Sequence, residues 1–95
     1  MADTLQDMQN GAAGVVSELS GVKAKCQEAV NDLTAQISAV EAAWQGQAAD
    51  AMVEALEAQK ARIRTAIGRI ETLIAQVQSQ AASAAAAWPA EETKP

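Results

Sequence analysis

Apolar residues recur through the first half of the chain at Leu5, Met8, Ala12, Val15, Leu19, Val22, Cys26, Val30, Leu33, Ile37, Val40 and Trp44. The steps alternate between three and four, with one extra four near Cys26. In the second half the stripe is Met52, Leu56, Gln59, Ile63, Ile67, Ile70, Ile74, Val77, Ala81, Ala84 and Trp88. This is the period of an α-helix, and nothing alternates by two as a strand would. The pattern predicts two helical arms, one over about residues 4–43 and one over about 47–88. A turn at 44–46 separates them, and a short polar tail follows at 89–95. The whole chain, 1–95, reads as one all-α domain.

The boundaries have chemical causes. Asp3 or Thr4 can cap the first helix, with Gln6 or Asp7 reaching back from three residues on. Gly46 supplies the positive φ that a helix stop needs. Asp50 and Glu54 fall near the start of the second helix, where its dipole favours acids. Pro89 disfavours α geometry at Trp88 and lacks an N–H, so the second helix should end there.

A short turn makes the arms antiparallel, giving a two-helix hairpin. A bend centred near residue 45 puts residue i opposite roughly 91 minus i. Lys60, Arg62 and Arg64 then face Glu28 and Asp32, and Glu71 comes within reach of Lys23. The hairpin seam is expected to contain Leu19, Cys26, Leu33, Ile37, Val40, Met52, Leu56, Ile63, Ile67, Ile70, Ile74 and Val77. Val16, Val53 and Leu73 widen the stripes beyond one seam. The expected outcome is a dimer of hairpins, a four-helix bundle.

Composition sharpens this picture. Hydrophobic residues make up 49% of the chain, with no Phe or Tyr and only two Trp. Much of that share is alanine, which forms helix well and buries little area, so an isolated hairpin would be marginal. Gly11, Gly14, Gly21 and Gly68 inside the arms read as sites of close helix contact or as a frayed first turn.

Charge and chemistry exclude several classes. A net charge of -5 argues against nucleic acid and against constitutive binding to anionic membranes. No cofactor is expected. The absence of His and the single Cys26 leave no metal site and no Cys–His nucleophile, so no enzyme is expected. Cys26 reads as a small seam residue, with an intersubunit disulfide as the alternative. The first residues lack a basic region and an apolar run, so no Sec-type signal peptide is expected. No stretch approaches the roughly 20 apolar residues of a membrane span.

Trp44-Gln45-Gly46, midway between equal helical arms and followed by Gln47-Ala48-Ala49-Asp50-Ala51-Met52, resembles the WXG family of small type VII secretion substrates, the early secreted antigen family. The resemblance covers the whole chain in architecture. It implies a non-catalytic helical hairpin that pairs with itself or with a related subunit. It also implies export as a folded dimer, driven by a membrane ATPase and without a cleaved signal peptide. The protein would be cytoplasmic before export and secreted after it. Trp44 and Gly46 would form one part of the export signal. The family's C-terminal Tyr-x-x-x-Asp/Glu element has no tyrosine here; its nearest equivalent is Trp88 with Glu92, interrupted by Pro89. Trp44 also has a purely structural reading, as an aromatic covering the end of a thin bundle, where full burial would be worth about 2 to 3 kcal/mol. Two other functions need only the amphipathic arms: a cytoplasmic coiled-coil adaptor or chaperone subunit, and a membrane-active helical protein.

Overall fold

The computed structural model describes residues 4–89. The expected tail from residue 90 onward, Glu92 included, lies outside them. Two helices account for nearly all of the described chain: α1, Leu5–Ala43, and α2, Gln47–Ala87. No strand occurs among the described residues. The helices pack side by side as an antiparallel hairpin in a rod of 71 × 17 × 16 Å.

Local chemistry sets the ends. Thr4 caps α1 in a capping box. Its Oγ1 accepts the Asp7 N–H at 3.1 Å, and Asp7 Oδ2 accepts the Thr4 N–H at 3.4 Å. At the far end the Trp44 N–H donates to the Val40 carbonyl at 2.9 Å, and Trp44 itself is extended, with φ -120° and ψ 151°. Gly46 caps the start of α2 rather than stopping α1. Its φ of 96° and ψ of -169° fall in a region open essentially to glycine alone. At the C-terminal end of α2, Trp88 leaves the helix with ψ 134°, as the residue before a proline must.

The seam follows a heptad repeat in which steps of three and four alternate. Along α2 it runs unbroken through Ala49, Val53, Leu56, Lys60, Ile63, Ile67, Ile70, Ile74, Val77, Ala81, Ala84 and Trp88, all buried or half-buried. Along α1 the same holds for Val16, Leu19, Lys23, Cys26, Val30, Leu33, Ile37 and Val40. This corrects the sequence reading at four places. Val15, Val22, Met52 and Gln59 are exposed, and their next neighbours Val16, Lys23, Val53 and Lys60 occupy the seam instead. The apolar pattern steered around both lysines. A lysine stem is four methylenes long, however, so it can line a seam while its ammonium stays in water.

The expected contact between Lys23 and Glu71 is present, with Lys23 Nζ 3.0 Å from Glu71 Oε2. Lys23–Glu71 is the only ion pair among the described residues. Lys60, Arg62 and Arg64 form none with Glu28 or Asp32. Glu28 sits on the outer surface of α1, and Asp32 and Arg62 lie on opposite outer edges of the hairpin.

Burial is thin. Among the described residues only Ile37 and Ala49, each 5% exposed, are buried. The interior glycines do not serve close packing between the helices, contrary to the reading from sequence: a Cβ built on Gly11, Gly14, Gly21 or Gly68 meets nothing within 4 Å.

Two glycine substitutions separate these roles. Gly46→Ala is expected to cost about 1–3 kcal/mol of stability, because its backbone conformation excludes a Cβ even though the space is open. Gly21→Ala is expected to stabilise by about 0.5–1 kcal/mol through helix propensity alone. Chemical denaturation followed by circular dichroism reads both signs.

Candidate functional site

The hairpin tip gathers the residues singled out in sequence. The extended backbone of Trp44 and the positive φ of Gly46 turn the chain within three residues, Trp44-Gln45-Gly46. The turn leaves the Trp44 side chain on the surface, 50% exposed. The ring does not close over the end of the bundle. Beside it lies an open cleft of about 710 Å³, lined by Trp44, Gln45, Gly46, Ala49, Val53 and the acids Glu41, Asp50, Glu54 and Glu57. No lysine or arginine lines this cleft. Ala49 is the one buried residue among those lining it.

The other aromatic sits at the opposite end of the rod. Trp88 is half-buried, and its indole N–H is buried without a hydrogen-bond partner among the described residues. About 40 helical residues separate it from Trp44, or roughly 60 Å at 1.5 Å per residue. One chain thus keeps its two tryptophans apart. Glu92, proposed as the partner of Trp88, lies outside the described residues. Near this end, Gln9, Ala12, Ala13 and Val16 of α1 face Gln78, Ala81, Ala82 and Ala85 of α2 across a shallow cleft of about 380 Å³.

Of the expected seam, the structure brings together Leu19, Cys26, Leu33, Ile37 and Val40 on α1 with Leu56, Ile63, Ile67, Ile70, Ile74 and Val77 on α2. Met52 is not among them; it is 40% exposed, because Val53 takes its place and a one-residue step rotates a helical side chain by about 100°. Cys26 is a half-buried free thiol in the seam. The two seam lysines were missed. The signal that marks them is the strict seven-residue spacing, which passes through Lys23 and Lys60 once polar residues are allowed in the repeat.

No group of three or more His, Cys, Asp or Glu is placed to hold a metal ion among the described residues. No described helix is long and apolar enough to cross a membrane. Compared with protein-family models, curated proteins and solved structures, the chain finds no match.

The exposure of Trp44 has a measurable consequence. Trp44→Ala is expected to cost about 1 kcal/mol or less, since half of its ring is already in water. Ile37→Ala is expected to cost at least about 2 kcal/mol, because it opens a cavity in the most buried part of the seam. Denaturant midpoints of the two variants give the comparison.

Proposed function

We propose that the protein is a small secreted, non-catalytic interaction module of the type VII class, exported as a folded dimer with itself or with a related subunit. The observation that carries this reading is the hairpin tip. Two helices of near-equal length reverse at Trp44-Gln45-Gly46, and Trp44 is left half exposed. An aromatic recruited only to cover a bundle end would be buried there. A large exposed indole at the hairpin tip is instead suited to recognition, since Trp supplies much contact area at little entropic cost.

Under this reading the partner that drives export is the secretion ATPase, and Trp44 and Gly46 form the first element of the signal. Trp88, with Glu92, would form the second. Within one chain the two elements stand at opposite ends of a rigid rod, so a joint signal requires the tip of one subunit to lie beside the C-terminal end of another. No cofactor, nucleic acid or constitutive membrane contact enters the proposal. The protein acts by being recognised.

Export provides the test. In a bacterium with a type VII apparatus, the protein is expected in washed culture supernatant and is expected to stay in the cells of a strain lacking the secretion ATPase. Trp44→Arg should retain it in the cell while leaving its helical circular dichroism in place. Unchanged export of both Trp44→Arg and a chain lacking residues 88–95 would refute the proposal.

A further inference from the structure

Charge is segregated along the rod. The basic side chains among the described residues are Lys23 and Lys25 on α1 and Lys60, Arg62, Arg64 and Arg69 on α2. None falls between residues 33 and 59, the stretch that forms the tip end of the hairpin. That stretch holds Glu41, Asp50, Glu54 and Glu57, all exposed and all lining the cleft beside Trp44. Asp50, Glu54 and Glu57 follow one another at steps of four and three. They therefore share one face of α2, where like charges repel. Lys60, the next basic residue, packs in the seam and makes no ion pair among the described residues. No three of these acids are placed to hold a metal ion. Trp44, Ala49 and Val53 give the same cleft an apolar part, and the indole is 50% exposed.

An occupant that suits both parts must be cationic, long enough to reach more than one carboxylate, and flat enough to lie on an aromatic ring. An arginine side chain meets all three conditions. Its planar guanidinium stacks on aromatic faces and forks toward carboxylates, which a lysine ammonium does not. We infer that the tip cleft docks an extended, arginine-bearing segment of a partner protein, with a guanidinium over the Trp44 indole and its N–H groups donating to the surrounding carboxylates. The four acids, with no cation among them, steer such a segment toward the tip and away from the mixed charges in the middle of the rod. This inference rests on the export reading's view of the tip as the recognised surface, and adds the chemistry of what recognises it.

Nuclear magnetic resonance of the isotope-labelled full-length chain tests it, with a capped Gly-Arg-Leu-Arg-Gly peptide as the probe. Shifts are expected at the Trp44 indole N–H and along residues 41–57, and not at Lys25 or Trp88. The same peptide with glutamine for arginine should leave the spectrum unchanged, and one with lysine should bind about two- to fivefold more weakly. Trp44→Leu should weaken binding by about two- to fivefold. Glu54→Gln combined with Glu57→Gln should weaken it by about three- to tenfold. Glu18→Gln removes one charge from the middle of the rod and should leave the affinity as it was. All four positions are exposed, and circular dichroism verifies the helix of each variant. Raising the ionic strength should weaken binding further, since exposed charges are screened. Equal shifts with the glutamine peptide, shifts centred on the middle of the rod, or unchanged affinity in the double glutamine variant would overturn the inference. Export assays keep it separate from the export reading. Export lost in Trp44→Arg, together with no binding of the arginine peptide at the tip, overturns this inference and leaves that reading standing. Binding at the tip, with export indifferent to Trp44→Arg, does the reverse.

Discussion

Packing of two helices along one narrow seam is the interaction on which the rest of this molecule depends. A lone helix of this length is held by its own hydrogen bonds and by alanine propensity, but neither fixes a tertiary arrangement. That comes from the row of Leu, Ile and Val side chains between α1 and α2. The row is only one heptad stripe wide on each helix, so it buries Ile37 and Ala49 and leaves the other seam residues half-covered. A structure with so little interior is sensitive to whatever covers its flanks.

The seam lysines belong to the same economy. Lys23 and Lys60 stand where an all-apolar repeat would place Val or Leu, and each gives up some burial. Lys23 answers with Glu71 across the interface at 3.0 Å. With side chains 29% and 55% exposed, that pair contributes little to stability, because water screens it. Its effect is on register. A slip by one heptad would leave the lysine stem packed but its ammonium without an acid. Polar residues in coiled-coil seams commonly set register at some cost in stability.

At the tip, backbone geometry governs what is presented. An extended Trp44 lifts the chain past the end of α1, and Gly46 reverses it through a conformation that other residues reach only with strain. The side chain of Trp44 is left outside the seam as a consequence. The acids lining the tip cleft, Glu41, Asp50, Glu54 and Glu57, surround an aromatic surface with negative charge. Asp50 also lies in the first turn of α2, where the helix dipole favours it, so helix stability and tip charge draw on the same residue.

The all-helical class, the two arms and the capping box at Thr4 follow from local chemistry: period, propensity, and the Thr and Asp three residues apart. Leu19, Cys26, Leu33, Ile37 and Val40, with Leu56, Ile63, Ile67, Ile70, Ile74 and Val77, were readable as seam residues because apolar side chains at helical spacing mark one stripe. Which residue of an adjacent pair turns inward was a different matter. Val15 and Val16, or Met52 and Val53, are equally apolar, and only the partner helix decides between them. The lysines at 23 and 60 were hidden for the same reason, since a polar side chain joins a seam only when a neighbour leaves its head in water. The Lys23–Glu71 contact was legible, because a three-residue turn aligns the arms to within the reach of two long side chains, whereas the pairs expected of Lys60, Arg62 and Arg64 with Glu28 and Asp32 depend on which way each side chain faces. Local preferences are written residue by residue, whereas facing is a property of two helices together.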